Sequence, residues 1–185
     1  MKWILSAPNG WADRYRDKIL TPIDKDGKPL KCRLGKCEGD FDWTWTQHTG
    51  WKIDELSKAI SCTFRSSTTV TDAPFTQPAK PEEKYSRAVI YKIDQKNMTV
   101  QQVWDYGKER GNELYSAITS SVEYQKDKNS VLVYWASIGV TGKDGINPVL
   151  TEFRYGESEP AVEMRLRNTM GYRALVIDPK KAFEH

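Results

Sequence analysis

At 185 residues the chain has the length of one domain, but only 38% of it is hydrophobic even with tyrosine counted, below the apolar share of about 45 to 50% usual for soluble domains. Such a fold gains from neighbours that cover its surface. Lysine and arginine together number 28 against 25 aspartates and glutamates, and the two signs are mixed along the chain without a block of either. That argues against a protein dedicated to nucleic acid or to a membrane surface.

The longest apolar stretch, residues 131–140, contains Ser137 and falls well short of the roughly 20 residues a membrane-spanning helix needs. Near the start, Lys2 is followed only by Trp3, Ile4 and Leu5 before Pro8 and Asn9. The apolar core of about 7 to 15 residues that a secretory signal requires is missing, so the chain read by itself is expected to stay in the cytoplasm.

In chain order, a short strand at 3–5 leads through Pro8, Asn9 and Gly10 into a helix expected over 12–20, where Trp11, Tyr15 and Ile19 recur at helical spacing. A polar loop with Pro22, Gly27, Pro29 and Gly35 follows. It holds two of the three cysteines. Cys32 and Cys37 bracket a tetrapeptide and can either close a small disulfide loop or remain free thiols, and spacing alone leaves both open. A metal site is not expected, because two thiols and His48 supply only three ligands at a spacing that matches no common zinc finger.

An aromatic strand is expected at 41–46. Its alternation puts Phe41, Trp43 and Trp45 on one face and Thr44, Thr46 and, if the strand continues, His48 on the other. Residues 61–77 are rich in serine and threonine with almost no apolar alternation, and read as an aberrant loop or linker. From Tyr85 onward the pattern is all-β. Runs at 88–93, 99–106, 119–124 and 131–135 suggest one antiparallel meander; runs at 149–155, 161–168 and 172–177 suggest a second, one strand short of a propeller blade.

The chain has two histidines, and His185 is the last residue, so imidazole chemistry falls to His48. It lies in GDFDWTWTQHTGW, where Trp43, Trp45 and Trp51 can wall a pocket for an aromatic ligand. The residues also admit a plainer reading, with tryptophans in the core and a hydrogen-bonded structural histidine.

Five stretches carry a resemblance: WILSAPNGW, KCRLGKCEGDFDWTWTQHTGW, KYSRAVIYKIDQKNMTVQQVWDYGKERG, SVEYQKDKNSVLVYWAS and NTMGYRALVIDPKKAF. Together they resemble the last third of the bacterial periplasmic arylsulfate sulfotransferases, over nearly the whole chain except 61–75. The resemblance implies a mainly β fold, the final blades of a six-bladed β-propeller, with 1–60 as the active-site segment and 78–185 as two antiparallel meanders. It implies a catalytic histidine at His48 that takes a sulfuryl group from an aryl sulfate donor and hands it to a phenol acceptor, with no cofactor or nucleotide sulfate. Thr119 in SAITSS and Tyr172 in TMGYRA match substrate-binding residues of that pocket, and Cys32 and Cys37 match a disulfide close to it.

The parent so implied is a periplasmic homodimer whose N-terminal blades supply further groups of the site. This chain, holding only the C-terminal part, is expected to be inactive alone. Where the family has a strand, a turn and an arginine, residues 61–75 differ throughout, which suggests two compensating frameshifts and makes Cys62 an accident. The alternatives are a non-enzymatic β-module that binds aromatic or sugar ligands, or an inert gene remnant.

Overall fold

The computed structural model describes residues 2–33, 36–44, 47–53, 58–65 (backbone only), 84–140, 142–143 and 145–182. A 3-10 turn at Asp13–Lys18 precedes β1 (Thr21–Ile23), the short pair β2 (Cys32–Arg33) and β3 (Lys36–Cys37), then β4 (Gln47–Ile53), β5 (Lys58–Arg65), β6 (Tyr85–Asp94) and β7 (Thr99–Tyr106). After these come β8 (Ser121–Gln125), β9 (Ser130–Trp135), β10 (Val149–Arg154), β11 (Val162–Arg165) and one helical turn, α1 (Pro179–Ala182). The chain is mainly β. Its two larger sheets have the orders β1-β7-β6-β5-β4 and β11-β10-β9-β8. Strands β4 to β7 and β8 to β11 each form an antiparallel meander, and β1 adds to β7 in parallel. Among the described residues no helix is long and apolar enough to cross a membrane.

The run AVIYKI explains why β6 sits in the middle of its sheet. Alternate side chains leave on opposite faces, so Ala88 and Ile90 pack with Val122, Val133, Trp135, Val149 and Phe153 between the sheets. Val89, Tyr91 and Ile93 pack on the other face with Leu20, Phe41, Trp43 and Val100. Burying each branched side chain of this kind contributes about 1.5 to 3 kcal/mol, and β6 does so on both sides. The Trp135 indole N–H, inside the first cluster, donates to Thr151 Oγ1 at 2.6 Å.

Several expected elements change. The helix expected over 12–20 is only the 3-10 turn Asp13–Lys18, with no buried residue. Ile4 donates its N–H to the Lys18 carbonyl and accepts from the Leu20 N–H at 3.0 Å, which draws 19–20 into an extended bridge. The strand expected at 3–5 reduces to that same bridge. Among the described residues of 41–46 there is no strand. The Asp42 carbonyl accepts from Arg87 and Tyr91 side chains instead of from a ladder.

Residues 61–65 of the expected linker belong to β5, which pairs with β4 on one side and β6 on the other. Backbone hydrogen bonds to two neighbours override a sequence poor in apolar alternation. The remainder of 61–77, 66–77, lies outside the described residues. The first meander also ends sooner than expected, after β7, and β8 and β9 supply the strands that the second set lacked. At this exit Gly107 has φ +108°, and a Cβ there would come within 2.6 Å of the Ser86 carbonyl oxygen and 2.8 Å of the Trp135 ring. Only glycine lets the chain leave β7 so tightly. The run 172–177 forms no strand, and its Tyr172, Leu175, Val176 and Ile177 are exposed.

Candidate functional site

His48 stands at an irregularity of β4. Gln47 pairs with Thr63 and Thr49 with Cys62, so two steps along β4 match one step along β5 and His48 is the extra residue of a bulge. A bulge leaves its extra residue outside the ladder and re-aims the side chain. The His48 ring, half-buried, places Nδ1 2.7 Å from the carbonyl oxygen of Ser120, which directly precedes β8. A carbonyl has no proton to give, so Nδ1 carries the hydrogen and donates it. The neutral ring then keeps its free lone pair on Nε2.

The three residues singled out in the sequence are brought together. The rings of Tyr172 and His48 pack against each other in a T-shaped arrangement. The hydroxyl of Thr119, a buried residue, donates to the Tyr172 carbonyl at 3.1 Å. Thr119 therefore acts on the tail that delivers Tyr172, and its neighbour Ser120 holds the imidazole. Gly171 makes that delivery possible. A Cβ at this position would collide with the phenol oxygen of the buried Tyr134.

Beside this contact, a cleft of about 370 Å³ runs between β4, β8 and the tail, lined among others by Trp51, Ile53, Val122, Tyr124, Arg173 and Leu175. The wall of three tryptophans expected from the sequence does not form. Trp43 is a core residue stacked edge-on to Phe41 at 5.0 Å, Trp51 is 52% exposed on the cleft, and Trp45 lies outside the described residues.

The segment leading to β4 is anchored from beneath. Arg87, with 2% of its side chain exposed, donates to the carbonyls of Asp42 at 2.7 Å and Trp43 at 3.4 Å, to Gln102 Oε1 at 3.1 Å and to Asp105 Oδ2 at 3.4 Å. Burial works against its charge, but Tyr91, Asp42 and Asp105 outweigh it and the guanidinium is held above its ordinary range. The Tyr91 hydroxyl donates to the Asp42 carbonyl at 2.6 Å. Burial pushes that phenol up to about 12, despite the opposing pull of Arg87.

Cys32 and Cys37 are joined as a disulfide that closes the β2–β3 pair, where they face each other. They pack with Leu20, Phe41 and Trp43. Among the described residues no group of three or more His, Cys, Asp or Glu side chains is placed to hold a metal ion. Sequence reasoning missed Ser120, Gly171 and Arg87. Ser120 acts through its backbone, which leaves no side-chain signature, although it lies inside the SAITSS motif; Gly171 likewise lies inside TMGYRA.

A family model described as Arylsulfotransferase (ASST) matches residues 1–173. The chain is similar to the Arylsulfate sulfotransferase AssT of Lelliottia amnigena, 41% identical over 196 aligned residues, and to the protein of that name from Escherichia coli O6:H1, 42% identical over 192. Both alignments cover 100% of this chain, which spans 31% of the length of each relative.

Proposed function

This chain belongs to the arylsulfotransferase family, and on that premise we propose that it is the portion of an arylsulfate sulfotransferase that carries the sulfuryl-accepting histidine, His48. The observation that carries this reading is the 2.7 Å contact of Nδ1 with the Ser120 carbonyl, which leaves Nε2 as the free nucleophile. In the first half-reaction the Nε2 lone pair attacks the sulfur of a phenolic sulfate ester and the bond from sulfur to the aryl oxygen breaks. The electron pair leaves on that oxygen, which takes up a proton as the phenol departs. In the second, an acceptor phenol gives up its proton, its oxygen attacks the sulfur, and the bonding pair returns to Nε2. Throughout, the Nδ1–H bond to Ser120 disperses the positive charge the ring carries while sulfated.

Two successive four-stranded meanders with β4 packed beside β8 support reading them as neighbouring propeller blades with β4 and β8 innermost. The Cys32–Cys37 disulfide suits an oxidising compartment such as the periplasm. Donors that hold the sulfuryl oxygens come, on this reading, from the remainder of the parent protein. Each is worth about 2.7 to 4 kcal/mol in the transition state, so the chain assayed alone should not turn over.

The test joins this chain to the preceding part of the Escherichia coli relative and supplies a chromogenic aryl sulfate and a phenol. Acid-free quenching and peptide mass spectrometry should find one sulfuryl group on the peptide that contains His48, and His48→Ala should abolish both the adduct and transfer. Transfer that survives in His48→Ala would overturn the assignment.

A further inference from the structure

The carbonyl that orients His48 belongs to a segment held from inside the protein by three buried serines. Ser86 in β6, Ser116 and Ser137 are 0%, 0% and 4% exposed. The Ser86 hydroxyl accepts from the Ser116 N–H at 2.9 Å and donates to the Ser116 carbonyl at 3.3 Å. The Ser137 hydroxyl accepts from the N–H groups of Ile118 at 2.9 Å and Thr119 at 3.1 Å. Both of its lone pairs are thereby used.

The Ser116 hydroxyl donates to the Thr119 carbonyl at 2.5 Å, accepts from the Ser137 N–H at 2.8 Å and lies 3.0 Å from the Ser137 hydroxyl. Since the Ser116 proton is spent on Thr119, the Ser137 proton serves Ser116 at 3.0 Å in preference to the Thr119 carbonyl at 3.4 Å. In that arrangement every donor and acceptor of the two hydroxyls has a partner. A fully satisfied polar network in a buried place fixes one arrangement. What it fixes is the course of 116–119, and so the direction of the next carbonyl, that of Ser120, onto His48 Nδ1.

We propose that Ser137 and Ser116 are positioning residues of the sulfuryl-transfer site, setting the His48 tautomer through the Ser120 carbonyl. This rests on the reading of His48 as nucleophile. Neither serine touches the imidazole. Their effect is to keep the proton on Nδ1 and the lone pair on Nε2, because without an aligned carbonyl the ring proton is free to occupy either nitrogen.

The sequence holds two histidines, so with histidine labelled by 15N the His48 ring is assigned by one comparison with His48→Gln. Long-range 15N–1H spectra of the chain at a pH where the ring is neutral should show the Nδ1–H tautomer alone. Ser137→Ala and Ser116→Ala should each give a mixture of tautomers, Ser137→Thr, which keeps the hydroxyl, should restore the single form, and Ser130→Ala, a buried serine that donates to Glu152, should leave it untouched. In the joined enzyme described above the two alanine variants should lower kcat by up to about 100-fold with KM little changed, as expected of a misaligned nucleophile. A single Nδ1–H tautomer in both alanine variants overturns the proposal. Should Ser137→Ala not fold, Ser116→Ala decides, since it leaves both backbone amides bonded to Ser137. A wild-type ring with its proton on Nε2 would instead overturn the reading of Nε2 as the nucleophile.

Discussion

The ring of Tyr172 meets the imidazole of His48 edge-on, centroids 5.3 Å apart and planes at 75°. The imidazole is thus confined by an aromatic ring while its Nδ1 is confined by a carbonyl. An aromatic contact of this kind is worth about 0.5 to 1.5 kcal/mol beyond burial. Tyr172→Ala should therefore slow sulfuryl transfer in the joined enzyme by up to about tenfold, through a freer imidazole. Tyr172→Phe keeps the ring. Comparing the two variants by kcat separates packing from any work of the hydroxyl: equal losses would mean that the hydroxyl, not the ring, is what matters.

Gly171 allows the tail to cross Tyr134. In Gly171→Ala the new methyl meets the Tyr134 phenol oxygen, and with that ring buried the backbone of the tail must give way. Tyr172 and its bond to Thr119 should be displaced, so transfer should fall at least as far as in Tyr172→Ala. Adding Tyr134→Phe removes the colliding oxygen, although ring carbons remain within 3.2 and 3.3 Å of the methyl position. Partial recovery in the double variant is the expected outcome, and strict additivity of the two single losses would contradict the steric account.

Strand content was legible where side chains alternate between two cores, as in 88–93, because that pattern is imposed by burial itself. It was not legible in 61–65. There the backbone is paired on both edges, and position in the sheet decides the conformation. The break between the meanders was hidden for a related reason: Gly107 turns the chain out of its sheet by a close approach to Ser86 and Trp135, residues distant in sequence. His48, Thr119 and Tyr172, which the family resemblance singled out, lie together in the fold, whereas the bulge and the Ser120 carbonyl are backbone features that carry no residue signature.

Arg87 should matter more to stability than any exposed ion pair. Arg87→Met would leave the Asp42 and Trp43 carbonyls short of a donor and Asp105 without its nearest cation. Breaking a buried charge network commonly costs about 3 to 5 kcal/mol, and because Asp105 is partly exposed the lower end is expected here. Arg87→Lys should recover little of this, since an ammonium cannot fork to both carbonyls and to Gln102. Urea unfolding of the three proteins measures the difference, and a loss under about 1 kcal/mol for Arg87→Met would contradict it.

Tyr91 gives the chain a stability that depends on alkaline pH with a fixed sign. Its phenol, ordinarily at 10.0, is raised to about 12 by burial in the fold. Between those two values the unfolded chain gives up the proton that the folded chain retains. The native state therefore binds more protons, and stability falls as pH rises. The contribution is fully present below about pH 10 and is lost at about 1.4 kcal/mol per pH unit until the folded phenol itself ionises. Tyr106, Tyr115 and Tyr134 are also raised by burial, so the wild-type slope alone does not isolate Tyr91. The comparison that does is with Tyr91→Phe, which gives up the hydrogen bond to Asp42 and the one accepted from Arg87 at a cost of about 2 to 4 kcal/mol near neutrality. Its deficit should shrink as the pH climbs through this window. Denaturant titrations of both proteins at several alkaline pH values test the point, and parallel curves throughout would show that Tyr91 does not carry the dependence.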